Sequence, residues 1–292
     1  MKYKSTAAYT CWNWRTDSMV GYLMDIFHRL YYFLFDRLIL YPLLSLLHDK
    51  FNIRFMNLGY QCKEDEDFPV LNKMSEMDNC CKANITLYEK ALSLCPKYPN
   101  FDGLRLLEVG CGQGGGIEWI LRAHSFADVN GVDLVTVNSC FGKIIKGNAE
   151  KLPFINDSFD VIINIESSHL YGNCRQFFLE CSRVLCENGF LCWADLRYTH
   201  QFETIMIEAQ RSCLHLITME DITEQVLQGI ESTTARYDAM LQNAPYFIRY
   251  FQNSIRTTYC APGTRSYGRL LKHEKTYVCA CWQNYKRIKE FD

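Results

Sequence analysis

Two signatures are missing from this 292-residue chain. It has 15 cysteines but no Cys-x-x-Cys pair; Cys80 and Cys81 are adjacent, and Cys279 and Cys281 are one residue apart. Zinc sites draw on thiolates two to four residues apart, so the spacing argues against a structural metal. The odd count and scattered placement fit reduced thiols packed as small hydrophobes in a reducing compartment, with a disulfide framework the weaker reading. A long apolar run is missing as well. The segment 22–47 is apolar and aromatic, yet Asp25, Arg29, Asp36 and Arg37 interrupt it. Its longest charge-free stretch, 38–47, is too short for a spanning helix, which needs about 20 residues. No apolar run follows the basic start, so no secretory signal is read there, and the expected location is cytoplasmic. The two signs of charge are balanced, 31 lysines and arginines against 33 acids. A formal net charge of −2 gives no electrostatic reason to expect a nucleic-acid partner.

Apolar residues make up 48% of the chain, enough for a sizeable core. Two readings of 22–47 stand: a buried or lid-forming helix pair broken near Pro42, or an in-plane contact with a membrane surface. The charged run Lys63-Glu-Asp-Glu-Asp67 reads as a solvated loop. The expected organisation is therefore an N-terminal helical lid or membrane-contact segment over 1–68, then a catalytic domain over 69–292 with a helical insertion at about 200–252.

A helix is expected over 78–94, where Cys81, Ile85, Tyr88 and Leu92 recur at helical spacing. Strands and helices then alternate. Strands are read at 104–109, 129–132, 144–145, 159–165 and 190–194, with helices opening at Ile117 and running through Phe177, Cys181 and Val184. This rhythm predicts an α/β fold: a Rossmann-like, mostly parallel sheet with helices on both faces. From His200 to about Gln252 the pattern reads as helical, and 267–282 reads as a C-terminal β-hairpin.

The strongest chemical signal is Leu106-Leu-Glu-Val-Gly-Cys-Gly-Gln-Gly-Gly-Gly116. Glycines after a buried strand let the backbone turn sharply, approach a ligand and start a helix. Gly110, Gly112 and Gly115 also satisfy G-x-G-x-x-G, and Asp133 stands where an acid would bind ribose hydroxyls. A dinucleotide is disfavoured by Glu108, at the mouth of the strand. A carboxylate there would repel a pyrophosphate by about 1–4 kcal/mol at a surface-like dielectric. S-adenosylmethionine instead presents an ammonium and a sulfonium, which a carboxylate favours.

Glu108-x-Gly110-x-Gly112-x-Gly114 resembles the class I S-adenosylmethionine-dependent methyltransferases. That resemblance implies S-adenosylmethionine as cofactor. It carries further along the chain: Gly147-Asn-Ala-Glu-Lys-Leu-Pro-Phe154 is similar to the loop that borders adenine, through Asn148 and Ala149. Asp is more usual where Asn148 stands. Ser158-Phe-Asp-Val-Ile-Ile-Asn-Ile-Glu166 resembles the fourth strand, whose end at Ile165 lines the cofactor crevice. Asn57-Leu-Gly-Tyr60, Asn164-Ile-Glu-Ser-Ser-His-Leu-Tyr171, Ala194-Asp-Leu-Arg197 and the stretch around Glu224-Gln-Val-Leu-Gln-Gly-Ile230 narrow it to the phthiotriol and phenolphthiotriol dimycocerosate O-methyltransferase group. Those enzymes methylate a hydroxyl of long polyketide-derived lipids. By the same resemblance, Tyr60 covers the cofactor.

His169, just after the fourth strand, is the candidate general base, since an alcohol acceptor must lose its proton. Substrate positioning and a plain loop hydrogen bond are its other readings. Glu166 is read as orienting the histidine or touching the acceptor. Asp195 and Arg197 line the acceptor pocket or form a structural ion pair. The expected reaction moves the methyl group to a hydroxyl of an apolar small molecule or lipid. Methylation at carbon or nitrogen of a lipid precursor is the alternative, as is a binding protein that has lost turnover.

One stretch departs from the family pattern. Only residues 134–143 lie between Asp133 and Ile144, whereas a parallel crossover with its helix needs about 10–12 residues or more. Val135, Thr136 and Val137 are poor helix formers, so the helix there should be a single turn or absent. That shortening should loosen the adenine wall. Calorimetry is expected to show weaker S-adenosylmethionine binding than in relatives with a full crossover, and full-strength binding would show that the short loop suffices.

Overall fold

The computed structural model describes residues 54–135 and 142–286. The segment 22–47 and most of the short crossover lie outside the described residues. The described residues form one compact unit. Its elements are α1 (Lys82–Ser93), β1 (Arg105–Val109), α2 (Gly115–Ala123), β2 (Asp128–Asp133), β3 (Lys143–Lys146), β4 (Phe159–Ile165), α3 (Cys174–Val184), β5 (Leu185–Tyr198), α4 (Phe202–Arg211), β6 (Leu214–Asp221), α5 (Thr223–Gln242), α6 (Tyr246–Tyr250), α7 (Gln252–Thr258), α8 (Arg265–Leu271) and β7 (Lys275–Asn284).

The seven strands form one sheet in the order β3-β2-β1-β4-β5-β7-β6. The first five run parallel, and β7 pairs antiparallel with both β5 and β6. The Rossmann-like fold is thus as the sequence predicts. Successive residues of β5 alternate between two cores, as strand geometry requires. Cys192 and Ala194 face a core shared with α1, α2 and α5. Leu191 and Trp193 face a second core shared with α3 and α4. Both faces are covered, which is why the central strands read as apolar runs. Local caps set the boundaries: Asn173 accepts the Gln176 amide at the start of α3, and Thr264 accepts the Tyr267 amide at the start of α8.

Two local expectations are corrected. The stretch 267–282 is no hairpin. Its first part belongs to α8, the chain turns at His273 with φ 53°, and β7 finds its partners in β5 and β6. The stretch read as helical from His200 also hides β6. Being the sheet's edge, β6 leaves Leu216, Ile217 and Met219 exposed, so its sequence carries no two-residue alternation. The expected helix over 78–94 is 3₁₀ from Glu76 to Cys81 and α only from Lys82.

Segment 54–68 packs into this unit, with Phe55, Leu58, Tyr60 and Phe68 buried in the first core. Lys90 anchors it, its ammonium lying 2.6 Å from Glu66 and 2.7 Å from Glu220 on β6. No helix among the described residues is long and apolar enough to cross a membrane.

Ile163 sits at 0% exposure in central β4. Ile163→Ala should cost about 2–5 kcal/mol through lost transfer energy and a cavity. Urea unfolding measures this, and a loss under about 1 kcal/mol would mean that the core collapses around the gap.

Candidate active site

The carboxyl ends of β1 and β4 adjoin where the strand order reverses, the usual ligand crevice of an open α/β sheet. Gly110 follows β1 with φ 76°, in the left-handed region. A Cβ there would stand 2.3 Å from Ser167 Oγ, so only glycine lets the two loops meet. Asn164 Nδ2 closes the contact from β4, donating to the Val109 carbonyl at 2.7 Å and to Ser167 Oγ at 2.7 Å. Tyr171 joins the same cluster, 2.8 Å from Ser167 Oγ.

Around this crevice the structure places most of the expected residues. Gly112 donates its amide to Asp133 at 2.9 Å, and Val135 bonds the other Asp133 oxygen at 3.0 Å. Burial raises the Asp133 carboxyl against the pull of those two amides. Gly114 is the residue before α2. Gly116 meets α1: a Cβ there would lie 2.3 Å from the Tyr88 ring. The Tyr88 hydroxyl in turn donates to Glu108 Oε1 at 2.6 Å. Glu108 is fully buried, and its Oε2 has no hydrogen-bond partner among the described residues. Burial pushes its carboxyl up to about 8; the Tyr88 hydrogen bond opposes this and the Asp133 charge adds to it.

Ala149 and Ile165 are buried, whereas Asn148 is exposed and turns its Oδ1 to the Glu150 amide, 2.9 Å away. Tyr60 stands apart from the glycine loop in its bonding. Its ring is buried, its hydroxyl bonds Glu66 and its amide donates to the Ala83 carbonyl. The side chain that lies against Gly112 is Met56.

The second cluster follows β4. Glu166 has φ 47° and accepts the Leu58 amide at 2.9 Å. Burial pushes its carboxyl up to about 8, against the pull of that amide. The residue that orients His169 is therefore Asp195, not Glu166. Asp195 Oδ1 lies 2.6 Å from His169 Nδ1, and Oδ2 accepts the His169 amide at 2.8 Å. Ser168 Oγ donates to Oδ2 at 2.5 Å and itself accepts from Trp193 Nε1 and Arg197. Burial disfavours the Asp195 charge, but His169, Arg197 and Ser168 outweigh it and hold the carboxyl below its ordinary range. Asp195 is fully enclosed, while His169 keeps 28% of its side chain exposed. An enclosed acid behind a reachable imidazole can fix the tautomer and stabilise the imidazolium.

Sequence reasoning missed Tyr88, Met56, Asn164 and Ser167. Asn164, within β4, and Ser167, just after it, stand in the quoted run 164–171, and Tyr88 was visible only as one apolar position of a helix. Nothing in the sequence marks Met56.

Residues 107–193 match a family described as "Methyltransferase domain". The chain is 34% identical to the phthiotriol/phenolphthiotriol dimycocerosates methyltransferase of Mycobacterium leprae, over 72% of this chain and 78% of that one. The chain belongs to this methyltransferase family. It is also 28% identical to the fatty-acid O-methyltransferase of Mycolicibacterium smegmatis, over 79% of this chain and 83% of the relative. Among solved structures, a geranyl diphosphate methyltransferase in complex with SAM has a TM-score of 0.52 at 16% identity, over 79% of this chain and 98% of that one. The protein is an S-adenosylmethionine-dependent methyltransferase. The unpartnered Glu108 oxygen fits that cofactor: a cationic ligand, met directly or through water, would partner it and favour the ionised carboxylate over the protonated form held in its absence.

The carboxyls of Glu108 and Glu166 give the methyltransferase a pH dependence. In the fold they keep their protons up to about pH 8, whereas an unfolded glutamate ionises near ~4.3. The folded state binds more protons between those values, so stability falls as pH rises, by up to about 1.4 kcal/mol per pH unit for each group. The loss is complete above about pH 8. Thermal unfolding of the ligand-free protein should show Tm dropping across this window and a flatter profile for Glu108→Gln. A Tm that rises with pH would contradict the buried, protonated state.

Proposed function

We propose that this enzyme methylates a hydroxyl group on an apolar, lipid-like acceptor, with His169 as general base and Asp195 as its positioning residue. The 2.6 Å contact between His169 Nδ1 and Asp195 carries this reading. Donation of the Nδ1 proton to Asp195 leaves the Nε2 lone pair for the acceptor hydroxyl. Once Nε2 has taken the proton, the enclosed carboxylate stabilises the imidazolium. The cofactor supplies the methyl group as a sulfonium substituent, and in-line displacement makes positioning the main demand on the protein. Glu108, Gly110, Gly112, Gly114 and Asp133 hold the cofactor in this reading, beside Asn148, Ala149 and Ile165. Glu166 braces segment 54–60 against the site rather than taking a proton.

The apolar acceptor is supported by two observations. The relatives are named for dimycocerosates and for fatty acids. Leu170, the neighbour of His169, is half exposed beside the base. The reading extends to residues 22–47, whose aromatic, charge-broken sequence suits contact with a lipid surface or a cover over the acceptor.

A hydroxyl acceptor needs a base; a carboxylate acceptor is already ionised near neutral pH and does not. Turnover with radiolabelled S-adenosylmethionine on lipid extracts, followed by product analysis, separates the two. His169→Ala should lower kcat by about 10²–10⁴-fold with cofactor binding retained. Asp195→Asn should lower kcat and shift its pH profile with little change in acceptor KM. Turnover by His169→Ala within about tenfold of the parent would sink the general-base assignment, and a methyl ester product would sink the hydroxyl assignment.

A further inference from the structure

Thiols far apart in sequence can still share a metal ion. The fold brings together three cysteines that the sequence separates. Cys95 lies two residues past the end of α1, Cys192 lies on β5 and Cys281 on β7. Cys192 and Cys281 are directly opposite in the antiparallel ladder, and the end of α1 sets Cys95 over them. Their three sulfurs lie within 4.8 Å of one another, and all three residues are buried.

We propose that Cys95, Cys192 and Cys281 form a closed three-thiolate site for a soft monovalent metal ion of the copper(I) class. A metal–sulfur bond of about 2.3 Å puts three ligands in a trigonal plane about 4 Å apart. That separation falls within the observed spread, so the site needs little movement. Soft thiolates select soft ions, which excludes magnesium and calcium. Zinc takes four ligands in structural sites, and among the described residues the group stops at three. Copper(I) accepts three. Binding moves no electrons; the ion arrives as copper(I), and the thiol protons it displaces leave to water.

The consequence is mechanical. Such an ion ties the end of α1 to β5 and β7. α1 carries Tyr88, whose hydroxyl bonds Glu108 in the cofactor site. An occupied site therefore stiffens the wall behind Glu108.

The test uses the full chain, reduced and handled without oxygen, titrated with copper(I) against a chromogenic chelator. One ion per chain is expected, with a rise in Tm on loading. X-ray absorption of the loaded protein should show three sulfur neighbours. Each of Cys95→Ser, Cys192→Ser and Cys281→Ser should weaken binding by more than the ~10–100-fold typical of an outer-shell partner. Cys279→Ser, on the same face of β7, and Cys80→Ser, an exposed thiol outside the cluster, should keep it. Should a core variant fail to fold, the sulfur count on the unmodified chain still decides. Two sulfurs, loss of the ion in Cys80→Ser, no binding at all, or zinc outcompeting copper at these thiols would each overturn the proposal.

Discussion

The hydrogen bond from Asn164 to the Val109 carbonyl, buried at 2.7 Å, is the contact on which the active site depends. It joins the ends of the two strands that flank the reversal of strand order, where an open α/β sheet has its crevice. Gly110 lets the loops close to this distance, and Ser167 fills the place a Cβ would take. Everything downstream inherits that geometry. The glycine loop leads into α2, and the chain after Ile165 delivers Glu166, Ser168 and His169 in succession to the same edge of the sheet.

Three carboxyls near this edge are driven apart by their surroundings. Glu108 and Glu166 are buried with few donors, so both keep protons to about pH 8. Asp195 is no less buried, yet it receives the Ser168 hydroxyl, the His169 and Leu196 amides and the His169 ring. Donor count, not depth, decides which carboxyl is ionised. Groups whose environments separate their proton affinities mark the division of labour in a site. Here the division gives one anion behind a histidine and two neutral acids. One of the neutral acids has an oxygen in want of a donor.

What was legible in the sequence was local. β1 and β4 are covered on both faces and print as apolar runs, and the glycines between β1 and α2 stand in consecutive order. The edge strand β6 was not legible, because Leu216, Ile217 and Met219 are all exposed and leave no period to read. Nor was α8, since seven residues are too few to separate a helix from a strand by spacing. Of the site, Glu108, Asp133 and His169 were legible from their places at strand ends. Their partners were not: Tyr88 lies 20 residues from Glu108, and Asp195 lies 26 from His169. Pairings across the sheet are set by topology, and a single sequence does not record them.

Helix α1 shows why such unrecorded pairings matter. It does three separate jobs at three points along its length. Tyr88 meets Glu108 and the Gly116 backbone at the cofactor crevice. Lys90 binds Glu66 and Glu220, fastening the preceding segment to the edge strand. Cys95, just past the helix, meets the two strand thiols. In sequence these read as an amphipathic helix and its stop, and burial alone would explain each. Yet the buried charge of Lys90 is tolerable only because two carboxylates answer it, and an unanswered ammonium there would shed its proton or its burial. The helix is therefore held in register by specific polar contacts as well as by its apolar stripe. A helix fixed in that way can hold the Tyr88 hydroxyl within hydrogen-bond reach of Glu108, which is what a preorganised cofactor site requires of its supporting shell.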